Sequence, residues 1–202
     1  MNLTKQQFEP DIGARQKIIG VMGSGTEPHE ELAGIVGRII AQAGHHLLTG
    51  GGEGVMTSVS AAFAAVEDRR GKVIGVLRAD GGAHLGPKLK RRDYSPLKPP
   101  NRYVEIPIYT HLPFSGEEGK LDLSRNHINV LTSDAIVALP GGAGTLSEVE
   151  LASEYGWPVV LFLGDGQIGK YTAEKLAARH SQTVSVAQDE NALREKLAEL
   201  LT

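Results

Sequence analysis

The chain has 202 residues, of which 41% are hydrophobic and 22% charged, with a formal net charge of −3 and no cysteine. These values predict one globular domain over residues 17–202 after a polar tail at 1–16, and they exclude disulfides, thiol chemistry and nucleic-acid binding through bulk charge. No apolar run approaches the roughly 20 residues of a membrane span, and the first residues lack the apolar core of a secretory signal, so we expect a cytoplasmic protein without a membrane partner.

The first part of the chain alternates short apolar runs with amphipathic segments. Residues 17–22 (KIIGVM) predict a buried strand, and a helix follows that Pro28 opens and Gly44 closes. The pattern continues with a strand at 45–49, a helix over 55–66 and a strand at 72–78.

Residues 79–124 interrupt this alternation. The stretch 79–101 is rich in glycine, proline and positive charge, and we interpret it as an irregular loop. Its basic run KLKRR (88–92) is either a solvated face or a lid that contacts phosphate. Within the insertion, residues 102–109 predict a strand, and Pro107 favours an edge position for it.

The alternation resumes after the insertion. Strands alternating with amphipathic helices predict an α/β fold, namely a doubly wound, mostly parallel Rossmann-like sheet with helices on both faces. The predicted elements are a helix at 121–132, a strand at 135–139, a helix at 145–156, a strand at 158–163, a helix at 170–180, a strand at 183–187, and a last helix capped by Asp189 with Leu193, Leu197, Leu200 and Leu201 facing inward.

Three loops concentrate glycine, at 23–25, 50–54 and 141–144. Each follows a predicted strand and precedes a predicted helix, so all three should lie at the carboxyl edge of the sheet, where doubly wound folds bind ligands. Helix N-termini at that edge offer unpaired N–H groups and a positive dipole end. The three loops together therefore predict a ligand that carries phosphate.

The run LPGGAGTLSE (139–148) allows two interpretations. Thr145 and Glu148 have the T-x-x-E spacing of a capping box, in which both side chains only satisfy the helix N-terminus. The preceding glycines favour the other interpretation, in which a ligand approaches the backbone beneath the Glu148 carboxylate. Arg125 is likewise a solvated residue, a residue paired with Asp122, or part of the site.

Other chemistries lack their motifs. The seven histidines show no metal-binding spacing, and no Walker lysine follows a glycine loop. The stretch GSGTEP (23–28) has only two of the three glycines of the dinucleotide fingerprint, which argues against an NAD-dependent oxidoreductase. We therefore expect neither a metal nor a cofactor.

The glycine motifs resemble those of a known family. PGGAGTLSE (140–148) matches the P-G-G-x-G-T-x-x-E signature of the Lonely guy (LOG) proteins, long misannotated as lysine decarboxylases, and TGGGEGVM (49–56) and GVMGSGT (20–26) resemble their other two loops. The resemblance implies a Rossmann-like fold, a homodimer or higher homo-oligomer, and hydrolysis of the N-glycosidic bond of nucleoside 5′-monophosphates, of AMP or cytokinin riboside type. The products would be free base and ribose 5-phosphate.

The same resemblance implies roles for individual residues. Glu148 would be catalytic, stabilising positive charge on the sugar, and Arg125 would position the substrate or assist departure of the base. Backbone N–H groups of Gly141, Gly142, Gly144 and Thr145 would hold the phosphate. The binding site would further include Gly23, Ser24, Gly25, Gly51, Gly52, Asn126 and Pro140.

One segment is closer to a different group. SRNHINVLTSDAIVA (124–138) resembles the related molybdenum-cofactor carrier proteins, and Asn126 stands where many LOG enzymes have lysine. Those carriers share the fold and bind a pterin phosphate without hydrolysing it. The alternative function is therefore a non-catalytic carrier or sensor of a nucleotide-like or molybdenum-cofactor ligand.

Overall fold

The computed structural model describes residues 15–78 and 99–202. Most of the expected N-terminal tail, and residues 79–98 of the expected insertion with its basic run, lie outside the described residues. Within the described ranges, no helix combines the length and apolarity that a membrane span requires.

The described residues form one seven-stranded, fully parallel sheet of order β4-β3-β2-β1-β5-β6-β7. The predicted Rossmann-like fold is confirmed, and the strand that contains Pro107 lies at a sheet edge as expected. The strands are β1 (Ile18–Met22), β2 (His46–Thr49), β3 (Val73–Leu77), β4 (Ile106–Tyr109), β5 (Ala135–Ala138), β6 (Val159–Leu161) and β7 (Val184–Val186).

Helices cover both faces of the sheet. One apolar core lies on the face of α1, α2 and α6, and a second core lies on the face of α3, α4 and α5. Because both faces are covered, the central strands are apolar throughout rather than alternating. The helices are α1 (Glu30–Gln42), α2 (Val55–Ala64), α3 (Asn126–Thr132), α4 (Ala143–Glu154), α5 (Ala173–Arg179) and α6 (Glu190–Leu201).

Four sequence predictions about helices were wrong in detail. α1 begins at Glu30 with His29 at its N-cap, so Pro28 precedes the helix rather than opening it. α3 begins at Asn126 rather than at residue 121, because residues 121–125 form turns that bring Phe114 beside Ser124. α4 begins at Ala143, two residues before Thr145. Leu200 is 39% exposed and does not face the core, although Asp189 caps α6 as predicted, its side chain accepting from the Ala192 N–H at 2.9 Å.

The order of the strands creates a switch point between β1 and β5. From β1 the chain winds outward through β2, β3 and β4, and it then returns to β5 and winds outward on the other side. Ligands of doubly wound sheets bind in the crevice beyond the carboxyl ends of the strands at this reversal. The loops at 23–25 and 141–144 flank that crevice directly.

Candidate functional site

A cavity of about 180 Å³ opens beyond the carboxyl ends of β1 and β5. The glycine loop after each of these strands contributes to its wall, and α3 and α4 supply its polar side chains. Its lining comprises Val21, Met22, Gly23, Gly25, Gly50, Met56, Ser115, Gly116, Arg125, Asn126, Gly144, Thr145 and Glu148.

The first turn of α4 presents unpaired N–H groups beside this cavity. The helix has glycine at its N-cap, Gly142, and therefore no side-chain cap. The first N–H of the turn with a protein acceptor is that of Leu146, which donates to the Gly142 carbonyl at 3.1 Å. In the described part of the chain, the N–H groups of residues 142–145 have no acceptor.

This geometry contradicts the capping-box interpretation of Thr145 and Glu148. Because α4 starts at Ala143, Thr145 is already inside the helix and its hydroxyl does not cap it. Both residues are buried at the cavity wall instead, at 3% and 8% exposure. The Glu148 carboxylate turns toward α3 rather than back toward the start of α4.

Asn129 of α3 holds the Glu148 carboxylate. The Asn129 Nδ2 donates to Glu148 Oε1 at 2.8 Å, and the Asn129 residue is only 1% exposed. Burial raises the pKa of the Glu148 carboxyl, while this hydrogen bond and the charge of Arg125 act in the opposite direction. The Asn129 Oδ1 is also buried, and among the described residues it has no donor.

Arg125 is a backbone clamp as well as a cavity residue. Its Nη1 donates to the carbonyls of Gly50, after β2, and of Val76, in β3. The alternative pairing with Asp122 is absent from the described structure, where the Arg125 Nε is buried without an acceptor. Burial lowers the pKa of the guanidinium, and the charge of Glu148 opposes that effect.

A wider cleft of about 440 Å³ adjoins the cavity on the other side of Arg125. Gly25, Gly50, Met56, Ser115 and Arg125 line both spaces, so the two are adjacent. The wider cleft is further lined by Gly51, Gly52, Glu53, Leu77, Arg78, Pro99, Pro100 and Asn101.

The structure divides the predicted site residues into three groups and leaves Gly142 apart, an exposed residue at the N-cap of α4 that lines neither space. Gly23, Gly25, Arg125, Asn126, Gly144, Thr145 and Glu148 line the cavity, whereas Gly51 and Gly52 line only the wider cleft. The third group, Ser24, Pro140 and Gly141, is engaged within the protein. The Ser24 N–H donates to the Pro140 carbonyl at 3.0 Å, and the Gly141 N–H donates to the Gln167 carbonyl at 3.1 Å. The Gly141 N–H is therefore not available to a phosphate.

The Asn129 amide is the site group that the sequence analysis did not name. Asn126, which was predicted as a binding residue, and Asn129 are both buried, at 2% and 1% exposure. The Asn126 Nδ2 donates to the Ser147 Oγ of α4 at 3.0 Å, so both amides join α3 to α4 beside the cavity. Their three-residue spacing on one helix face was the available signal, since i and i+3 face the same neighbour.

Comparisons with known proteins agree with this architecture. A molybdenum cofactor binding protein from Rippkaea orientalis has a solved structure with a TM-score of 0.66 and 32% identity, covering 94% of this chain and 99% of that one. A molybdenum cofactor carrier protein from Chlamydomonas reinhardtii gives a TM-score of 0.64 and 29% identity, covering 93% and 99%.

A curated relative and a family model also match. An uncharacterized protein of Archaeoglobus fulgidus is 31% identical over 140 residues, which are 68% of this chain and 74% of the relative. The model of the SLOG cluster4 family, within the LOG-like superfamily, matches residues 16–193. The chain therefore belongs to the SLOG cluster4 family.

Proposed function

We propose that this protein binds a small phosphorylated ligand of nucleotide or pterin type and carries it without hydrolysing it. The observation that supports this most strongly is the uncapped first turn of α4, where the N–H groups of residues 142–145 lack protein acceptors beside a cavity. Helix N-termini bind phosphate through such N–H groups and through the positive end of the helix dipole.

The space at the site suits a ligand with a compact anionic end and a larger remainder. A cavity of about 180 Å³ accommodates a phosphate and little more, whereas small-molecule sites span roughly 300–1,000 Å³. The adjoining cleft of about 440 Å³ supplies the missing room. A ligand would therefore place its phosphate at α4 and extend past Arg125 into the wider cleft.

The position of Arg125 favours carrying over hydrolysis. Burial raises the pKa of Glu148, which suits an anion in the same small cavity but serves a general acid equally well, so this shift does not separate the two functions. Arg125 is already bonded to two backbone carbonyls, which holds it in place and limits its use toward a departing base. The Rippkaea and Chlamydomonas proteins, which by name bind or carry molybdenum cofactor, are similar over almost the whole chain.

A second candidate, the nucleoside 5′-monophosphate phosphoribohydrolase, is favoured by one observation. The Glu148 carboxyl and the free N–H groups of α4 line the same cavity, so a ribose 5-phosphate unit bound there would lie within reach of a carboxyl group. Cleavage of the N-glycosidic bond develops positive charge on the sugar, which an ionised Glu148 would stabilise.

A paired measurement of binding and turnover tests both candidates. We would incubate the purified protein with AMP, GMP and a cytokinin riboside monophosphate, assay for free base by chromatography, and measure binding of the same probes by calorimetry. The carrier predicts binding with intact recovery, and Glu148→Gln should bind at least as tightly as the wild type. Base release that Glu148→Gln abolishes would establish the hydrolase instead.

The resemblance also supports a homodimer or higher homo-oligomer that acts in the cytoplasm. Light scattering of the purified protein measures the first of these properties directly, and a monomer at micromolar concentration would contradict it.

A further inference from the structure

Arg78 stands at the carboxyl end of β3, where it lines the wider cleft and is partly buried. It forms no ion pair in the described part of the chain, and it lines the same cleft as Arg125, so the two cations border one space. Burial is the main cause that lowers the pKa of Arg125, and the charge of Arg78 adds to it. Two like charges placed close together are unfavourable unless an acceptor binds between or beside them.

The walls of the wider cleft suit a flat ring. The backbone of residues 50–52 forms one side without side chains, and a methyl group added at Gly51 would lie 2.6 Å from Leu77 Cδ2, so this side is closely packed. Met56, Leu77, Pro99 and Pro100 supply apolar surface. A planar heterocycle would bury both faces there, as ligand pockets with few polar groups do.

The polar edge of such a ring would meet Arg78. The side-chain amide of the neighbouring Asn101 already has hydrogen-bond partners within the protein. Its Nδ2 donates to the Gly52 carbonyl at 3.0 Å, and its Oδ1 accepts from the Tyr103 N–H at 3.1 Å. A guanidinium is a rigid fork of donors that binds two acceptors side by side. Guanine offers that pair as O6 and N7, and a pterin offers the equivalent pair as its 4-oxo group and N5. Adenine replaces the oxo group with an amino donor.

We propose that Arg78 recognises the ring of the bound ligand by hydrogen bonding and selects oxo-substituted heterocycles, of guanine or pterin type, over adenine. This inference rests on the proposed function, because the phosphate must first bind at α4 for the ring to reach the wider cleft. Bidentate recognition of this kind discriminates between bases by roughly 5- to 150-fold. We therefore expect the wild type to prefer GMP to AMP by at least about fivefold.

Calorimetric titration of four probes tests the proposal. The affinity for ribose 5-phosphate measures the contribution of the phosphate end alone, and the difference between AMP and GMP measures the contribution of the ring edge. Neopterin monophosphate distinguishes a pterin site from a guanine-nucleotide site. Binding of GMP at least about fivefold tighter than AMP supports the proposal, and the tighter of GMP and neopterin monophosphate identifies the source of the ring. Equal affinity for GMP and AMP would overturn it.

Two substitutions of Arg78 distinguish bidentate hydrogen bonding to the ring from simple charge attraction. Arg78→Lys keeps the charge but loses the fork, so the preference for GMP over AMP should fall to less than about twofold while ribose 5-phosphate binds as in the wild type. Arg78→Met should lose the same preference. The proposal would be overturned if Arg78→Met still preferred GMP to AMP. It would also be overturned if both variants lost as much affinity for ribose 5-phosphate as for GMP. Failure of every probe to bind the wild type would instead contradict the proposed function.

Discussion

The glycine loops at 141–144 and 23–25 flank the same crevice, follow adjacent strands and precede helices, yet their N–H groups have different partners. In the first loop the N–H groups that begin α4 have no acceptor in the described structure. In the second loop the Ser24 N–H donates to the Pro140 carbonyl, and the N–H groups of Thr26 and Glu27 donate to the Ser24 Oγ. Three donors around the second loop are thus bonded within the protein, whereas the N–H groups of residues 142–145 at the start of α4 remain for a ligand.

The loop at 50–54 also has N–H groups that are bonded within the protein. The Val55 N–H, at the start of α2, donates to the Ser24 carbonyl at 3.0 Å, and the Gly51 N–H donates to the Thr49 Oγ1 at 3.0 Å. Glycine at these positions allows chain segments to approach one another closely. A glycine motif therefore indicates either close packing or a free anion site, and the hydrogen-bond partners of its N–H groups distinguish the two.

Two neighbouring glycines show the same contrast within one loop. A methyl group added at Gly141 would lie 2.2 Å from Thr145 Oγ1 and 3.0 Å from the Ser24 nitrogen, whereas one added at Gly142 would meet nothing within 4 Å. Gly141 is thus required by the protein itself. The space in front of Gly142 is open, which is the condition for a ligand to approach the start of α4.

The largest effect is expected from Gly142→Asp. The new carboxylate would accept from the free N–H groups of α4 as a helix N-cap, so the free energy of unfolding should rise by a few tenths of a kcal/mol. A phosphorylated probe would lose its charge-assisted hydrogen bonds to the same N–H groups, so its binding should weaken by about 100-fold or more. Thermal denaturation and calorimetry measure the two effects.

A charge-matched control for this variant is Asn191→Asp. Asn191 is exposed in the first turn of α6, and the same added charge there should leave phosphate affinity within about twofold. An equal loss of affinity in both variants would show that long-range repulsion, rather than occupation of the α4 amides, explains the effect.

The next effect is a pH dependence that Glu148→Gln should remove. Because burial raises the folded-state pKa of Glu148, the folded protein retains the proton more strongly than the unfolded chain. The stability that this provides is present below the unfolded pKa and is lost as pH rises through the folded value. Glu148→Gln should therefore be more stable than the wild type at neutral pH, with the difference vanishing toward acid pH. A constant difference in melting temperature between pH 4 and 8 would contradict this.

Arg125→Lys should have a smaller effect on binding but a clear effect on stability. The guanidinium joins the ends of β2 and β3 through the carbonyls of Gly50 and Val76, and lysine cannot present the same planar set of donors. We expect a loss of about 1–3 kcal/mol in the free energy of unfolding, measured in urea. An unchanged free energy of unfolding would show that the clamp is not structural.

The smallest effect on binding is expected from Ser24→Ala. The Ser24 hydroxyl accepts from two N–H groups of its own loop, so its removal should cost about 0.5–1.5 kcal/mol of stability. Phosphate affinity should fall by less than about threefold, because the α4 amides are unaffected. A loss comparable to that in Gly142→Asp would mean that the two loops do not differ as described.

The fold could be predicted from the sequence because its signals are local. Apolar runs such as 135–139, each bounded by turns, indicated buried strands, and their alternation with helices indicated a parallel sheet. Pro107 indicated the edge strand because proline cannot donate a ladder hydrogen bond. The carboxyl-edge position of the glycine loops then followed from the fold.

The interior of the site could be predicted only in part. Thr145 and Glu148 have the spacing of a capping box, and only the start of α4 at Ala143 shows that they are not one. The burial of Asn129 and its bond to Glu148 depend on how α3 packs against α4, which no local pattern encodes. Arg125 was predicted as a site residue, but its clamp on Gly50 and Val76 joins residues distant in sequence.

The central claim is that the free N–H groups of α4, and not those of the other glycine loops, hold the anionic group of the ligand. Amide NMR of the ¹⁵N-labelled protein during titration with ribose 5-phosphate tests it most directly. We predict saturable shifts for the amides of residues 142–145, with smaller changes at Ser24 and Val55, whose N–H groups are already bonded. Saturable binding that shifts the amides at 23–27 or 50–55 and leaves 142–145 unchanged would contradict the account.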